Sequence, residues 1–131
     1  MSKKQMACII DDDQVYVFGV KKLIQFYDFC SDVLTFKNGE EALDYLDPRK
    51  ACSDLLPEVI MVDINMPVMD GWEFLDNFVK MTPTLSRKIT VYVVSSSLRQ
   101  DDMEKAKNYS EVTDYIVKPV NFENLKQILS A

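Results

Sequence analysis

The chain has 131 residues, of which 47% are apolar, and it holds only three glycines and five prolines. That is long enough for one domain with a buried core, and the composition excludes a disordered segment. Its net charge is −6 with the lysines and arginines scattered, which argues against direct nucleic-acid binding, and the absence of histidine excludes histidine triads, histidine-ligated metals and a phosphohistidine on this chain.

From the amino terminus, "MSKKQMACIIDDD" carries too short an apolar stretch for a signal peptide, which needs about 7 to 15 such residues. It predicts a short strand over residues 6–10. No later run reaches the roughly 18 apolar residues of a membrane span, so a cytoplasmic chain without membrane contact is expected. Residues 14–29, "QVYVFGVKKLIQFYDF", place Tyr16, Val20, Leu23, Ile24 and Tyr27 at helical spacing. Gly19 inside that helix costs ~1 kcal/mol relative to alanine. "DVLTFK" (32–37) reads as a strand and "NGEEALDYLD" (38–47) as a turn and short helix. "DPRKACSDLLPE" (47–58) has the composition of a surface loop.

The third unit pairs strand "EVIMVD" (58–63) with helix "GWEFLDNFVKM" (71–81), which buries Leu75, Phe78 and Val79. The fourth pairs "KITVYVV" (88–94) with "LRQDDMEKAKNY" (98–109). The fifth pairs "TDYIVK" (113–118) with "NFENLKQIL" (121–129), whose Phe122, Leu125, Ile128 and Leu129 form an apolar stripe. Cys8, Cys30 and Cys52 are odd in number and widely spaced, so free thiols are expected rather than a zinc site or a disulfide framework.

Strands alternating with helices predict a parallel sheet covered on both faces. The first, third and fourth strands are apolar on both sides, as central strands are; the second, with Thr35 and Lys37, reads as an edge. Ligands of such sheets lie beyond the carboxyl ends of the strands. Those ends carry Asp11 and Asp12, then Asp63, Ser95 and Lys118. Three carboxylates in one place repel and call for a cation. Hard oxygen donors suit Mg²⁺, and Lys118 with a hydroxyl suits the remaining oxygens of a phosphoryl group. Asp63 is then the candidate nucleophile, because a carboxylate forms an aspartyl-phosphate. Each residue taken singly also has a structural role available. Asp13 is better read as the cap of the first helix, Asp63 can cap a turn, and Lys118 can be a surface lysine. Residues 95–97 can be an ordinary loop. Their joint placement at four strand ends favours the chemical reading.

The motifs "IIDDD" (9–13), "VDINMPVMDG" (62–71), "VVSSS" (93–97) and "YIVKPV" (115–120) resemble, in order and spacing, those of response regulator receiver domains of two-component signalling. The resemblance covers nearly the whole chain. It implies an α/β, doubly wound, five-stranded parallel sheet of order 2-1-3-4-5 with five helices, the flavodoxin-like or CheY-like three-layer sandwich. It further implies that Asp63 is the phosphoacceptor and that Asp11 and Asp12 organise Mg²⁺, with the backbone carbonyl of Asn65 as a further ligand. By the same resemblance Lys118 pairs with the phosphoryl group, and a cis peptide precedes Pro119. Ser95 is then the switch hydroxyl, and Tyr115 the aromatic that swings inward with it. Pro67 and Gly71 shape the loop after the phosphoacceptor. Ser95 stands where threonine is commoner, which preserves the hydrogen bond.

The resemblance implies a histidine kinase or histidine phosphotransfer protein as donor and an unknown protein downstream. The output face is helix 4, strand 5 and helix 5, and a phosphorylation-dependent homodimer is open. Self-phosphorylation from a donor and autodephosphorylation are expected rather than turnover of a conventional substrate, with Asn65 and Ser97 at positions that tune the rate in relatives. The chain ends where the family's fifth helix ends, so a single receiver over 1–131 without an output domain is expected. Three other readings compete. An aspartyl-phosphate phosphatase of the haloacid-dehalogenase type would want an acid at Asn65 and its nucleophile after the first strand. A flavodoxin-like electron carrier would want hydroxyls and glycines where Asp11 to Asp13 stand. A phosphorylation-silent binding module would not need Asp63, Asp12, Lys118 and Ser95 together.

Overall fold

Strand and helix alternate through the computed structural model, which describes residues 4–130. The order is β1 (Lys4–Ile10), α1 (Gln14–Phe26), β2 (Cys30–Phe36), α2 (Gly39–Arg49), β3 (Val59–Val62), α3 (Gly71–Met81), β4 (Thr90–Ser95), α4 (Gln100–Ala106), β5 (Val112–Val117) and α5 (Phe122–Leu129). All pairings are parallel in the order β2-β1-β3-β4-β5, so β2 is an edge as its polar residues suggested. Ile10 pairs with Phe36 and Val62, and Val62 with Val93, which brings the carboxyl ends of four strands to one level.

Period-two alternation along the strands separates two cores. Ala7, Ile9, Val59, Met61, Tyr92 and Val94 face one side, against Val17, Val20 and Ile24 of α1 and Leu125, Ile128 and Leu129 of α5. Cys8, Ile10, Ile60, Val62, Val91 and Val93 face the other, against Ala42, Leu46, Phe74, Leu75, Phe78 and Ala106. Each buried valine, leucine, isoleucine, phenylalanine or methionine among them contributes roughly 1.5 to 3 kcal/mol. Phe74, not Val79, completes the buried stripe of α3.

Several helix ends differ from the sequence expectation for local reasons. Helix α1 stops at Phe26 rather than running to Phe29. Asp28 adopts φ 54° there, and the Asp28 and Phe29 N–H groups bond back to the Gln25 and Ile24 carbonyls. This left-handed closure reverses the chain into β2, and it leaves Tyr27 exposed beside Phe29 and Phe122. Phe122 is accordingly only partly covered. Helix α2 runs through Pro48 to Arg49, because a proline in the last turn removes a single intrahelical bond, and a 3₁₀ turn follows at Ser53–Leu55. Helix α4 is shorter than expected at both ends: Leu98 lies exposed outside it, and Tyr109 instead stacks on Trp72 of α3 at 5.9 Å between ring centroids. Tyr109 also donates to Asp76, and Lys105 lies 4.8 Å from the Trp72 ring centroid. Cys8, Cys30 and Cys52 are free thiols.

The loop between β3 and α3 holds the backbone conformation that β-branched residues least favour. Val68 has φ 68°, with the Met69 N–H bonded to the Pro67 carbonyl at 2.7 Å. Its side chain is exposed, so it gains little from packing in return. Val68→Gly is expected to raise the stability by about 0.5 to 1 kcal/mol, strain relief outweighing the added chain entropy. Urea unfolding checks this, and an unchanged or lowered midpoint refutes it.

Candidate functional site

Asp11 and Asp63 emerge from adjacent central strands, held by the Asp11 N–H to the Phe36 carbonyl and the Asp63 N–H to the Ile10 carbonyl. Both are buried, at 2% and 8% exposure, while Asp12 is exposed. One carboxylate oxygen from each of the three lies within 4.8 Å of the others. Asp11 Oδ1 accepts the Asp13 N–H at 3.0 Å, and Asp63 Oδ1 accepts the Ile64 N–H at 2.8 Å. Asp13 caps α1, accepting the Tyr16 N–H, as its sequence reading preferred.

Lys118 enters from the end of β5, its N–H bonded to the Ser95 carbonyl at 2.9 Å. Its Nζ lies 2.6 Å from Asp11 Oδ2 and 3.6 Å from Asp63 Oδ2. The Lys118–Pro119 peptide is cis. Ser95 is fully buried at the end of β4, and its Oγ accepts the Ser97 N–H at 3.2 Å. Half-buried Tyr115 donates its hydroxyl to the Ser97 carbonyl at 2.8 Å, and the Ser97 hydroxyl donates to Asp102 of α4. The loop after β4 is thereby tied to both β5 and α4. Asn65 is exposed in the loop two residues beyond Asp63, outside the hydrogen-bonded group.

Gly71 is a steric requirement of the site. A Cβ there would stand 2.3 Å from the Asp63 carbonyl oxygen and 2.8 Å from the Ile64 Cα. The Gly71 N–H bonds to the Ile64 carbonyl at 2.8 Å, so the start of α3 lies against the backbone that presents Asp63. Pro67 shapes the exposed part of the same loop.

Burial raises the Asp63 pKa above the usual carboxylate value, and the charge of Asp11 raises it further. Lys118, the Ile64 N–H and the Ser95 hydroxyl act in the opposite direction. Three carboxylates faced by one ammonium leave an excess of negative charge, and the donors are all hard oxygens. That set fits a small divalent cation of the Mg²⁺ type.

One side chain at this edge carried no chemical signal in the sequence. Tyr16 had the spacing of a core residue, yet its ring centroid lies 4.2 Å from the Lys118 Nζ. Burial and then Asp11, Asp63 and Asp13 push its hydroxyl pKa up. Only the three-dimensional meeting of α1 with the end of β5 reveals it.

A doubly wound sheet with an acid cluster, a lysine and a buried hydroxyl on its carboxyl edge defines a receiver-type α/β domain. The chain belongs to the response regulator receiver domain family, whose family model matches residues 7–130, and it is a receiver domain of two-component signalling. It is 29% identical over 119 residues to a probable methanogenesis regulatory protein, FilR2, of Methanothrix harundinacea, covering 91% of this chain and 75% of that one. The chain spans only 31% to 43% of the length of further curated relatives, which include a protein-glutamate methylesterase from Methanococcoides burtonii. Among solved structures, a two-component response regulator from Cytophaga hutchinsonii superposes with TM-score 0.87 at 29% identity, over 97% of this chain and 95% of that one. The phosphorylated cyanobacterial phytochrome response regulator RcpA gives TM-score 0.75 at 29% identity, over 95% and 87%. Among the described residues no helix is long and apolar enough to cross a membrane.

Proposed function

We propose that this domain is a phosphorylation-dependent switch in which Asp63 receives a phosphoryl group from a phosphohistidine on a histidine kinase or histidine phosphotransfer protein. The observation that carries the reading is the placement of Asp63. It is buried on a central strand, beside Asp11 and Asp12 on one side and within 3.6 Å of the Lys118 ammonium on the other. In the transfer, an Asp63 oxygen bonds to phosphorus, the phosphorus–nitrogen bond breaks, and the electron pair leaves with the donor imidazole. Asp11, Asp12, Asp63 and the Asn65 carbonyl would hold Mg²⁺, which supplies neutralisation of the phosphoryl oxygens. Lys118 meets another of those oxygens, and the Ser95 hydroxyl a third. Val15 and Phe18 are exposed on α1, the helix that follows Asp11 to Asp13 in the chain, and offer apolar surface to a protein donor.

The new charge of roughly −1.5 to −2 pulls on Ser95 and Lys118 and shifts an existing equilibrium at the α4–β5–α5 face. A groove of about 370 Å³ between α4 and β5, lined by Met103, Ala106, Val112 and Tyr115, suits a downstream protein or a second phosphorylated copy on that face. The setting is a cytoplasmic one, without direct nucleic-acid binding by this domain. Incubation with acetyl phosphate and Mg²⁺ is expected to add one phosphoryl group by intact mass, and none in Asp63→Asn. An unmodified wild-type chain, under conditions that label a known receiver, refutes the transfer. Equal labelling of the variant refutes the site.

A further inference from the structure

We infer that Tyr16 is a positioning residue for Lys118: its ring face holds the ammonium over Asp63 when Asp11 turns to a metal ion. The inference rests on the phosphoacceptor reading of this site and assigns a role to a residue outside the acid cluster.

Among the described residues, two carboxylates and one ring lie close to the Lys118 Nζ. Asp11 Oδ2 is the nearest at 2.6 Å, Asp63 Oδ2 lies at 3.6 Å, and the Tyr16 ring centroid at 4.2 Å. Asp11 therefore holds the lysine more closely than Asp63 does. A divalent cation on the acid cluster competes directly for the Asp11 oxygens. The ammonium would then lose its closest partner, and a lysine on a flexible four-carbon stem is free to follow solvent. The ring is the one neighbour of the three that a cation cannot take away. It attracts the ammonium through its quadrupole and leaves N–H groups available for phosphoryl oxygens.

The local structure makes the ring a fixed support. Tyr16 lies in the first turn of α1, where Asp13 accepts its N–H at 3.1 Å. It sits one position off the stripe of Val17, Val20 and Ile24 that α1 buries in the sheet. Its side chain is half-buried and packs against that core, so neither helix nor ring is free to drift. A tyrosine serving the core alone would not need its face under a charged nitrogen.

The test uses Tyr16→Leu, which keeps apolar bulk and removes the π face, and Tyr16→Phe, which keeps the face and removes the hydroxyl. With acetyl phosphate and Mg²⁺, Tyr16→Leu is expected to label Asp63 about three- to tenfold more slowly, and Tyr16→Phe to recover the rate. The second readout is the proton shift of the Lys118 ε-methylene by NMR. A ring-current displacement is expected in the wild type and Tyr16→Phe, persisting with Mg²⁺ and beryllofluoride, and lost in Tyr16→Leu. Labelling of Tyr16→Leu at the wild-type rate overturns the inference, as does Tyr16→Phe as slow as the leucine variant. Disappearance of the displacement on adding Mg²⁺ and beryllofluoride also overturns it. If Tyr16→Leu does not fold, Tyr16→Met takes its place with the same expectations. Failure of the wild type to label refutes the phosphoacceptor reading instead, and the NMR readout in that case still decides whether the ring holds the lysine.

Discussion

Asp63→Asn is expected to be more stable than the wild type at neutral pH in the absence of divalent cations. Asp63 is buried next to Asp11, and both effects raise its folded-state pKa above the ordinary carboxylate value. Below the ordinary value the group is protonated in both folded and unfolded chains, and it does not affect the balance. As pH rises, the unfolded chain ionises first, and wild-type stability falls until the raised folded value is passed. Asparagine does not titrate, so the gap between the two proteins opens over that window and closes on acidification. Lys118 opposes the effect, but it keeps Asp11 at 2.6 Å when Asp63 is neutralised. Mg²⁺ should stabilise the wild type and narrow the gap. Urea titrations from about pH 3 to 7 with chelator, then with Mg²⁺, measure all of this. A less stable Asp63→Asn at neutral pH would mean that the Lys118 attraction outweighs burial and the Asp11 repulsion.

Gly71→Ala is expected to be the most damaging small substitution at the site. The added Cβ would meet the Asp63 carbonyl oxygen at 2.3 Å and the Ile64 Cα at 2.8 Å. Both are backbone atoms of a buried strand end, so no side chain can turn aside. Either α3 retreats and loses the Gly71 N–H bond to Ile64, or the end of β3 shifts and carries Asp63 with it. Overpacking against backbone costs about 3 kcal/mol, which lowers the melting midpoint by roughly 10 °C in a domain of this size. Phosphoryl acceptance should fall more than stability predicts, since the displaced atoms are those that aim the carboxylate. Differential scanning calorimetry and intact-mass labelling of the same preparation separate the two losses. A midpoint within about 2 °C of the wild type would show that the strand end yields easily.

The sheet was legible because its signal is redundant. Apolar runs in β1, β3 and β4 are buried on both faces, and a stop at each carboxyl end put Asp11, Asp63, Ser95 and Lys118 at one edge. Helix ends were less legible because single backbone conformations set them. Asp28 closes α1 in a left-handed conformation usually marked by glycine, while the apolar pattern continues to Phe29. The helix expected to end at Asp47 runs on to Arg49, because Pro48 falls in its last turn and removes a single bond there. Tyr16 was legible as helical and not as a neighbour of Lys118, since sequence spacing does not show which strand end a helix face overlies.

The Trp72–Tyr109 stack gives the protein an optical property. Trp72 is the single tryptophan of the chain, and it stands at the start of the helix whose first residue abuts the Asp63 backbone. Its partners in space are Lys105 of α4 and Tyr109 of the turn that follows it. Indole emission responds to a stacked phenol and a nearby ammonium, so the intrinsic fluorescence of the unlabelled domain is a gauge of how closely α4 sits on α3. Any displacement of α4 against α3 can be followed in real time by light from this one side chain.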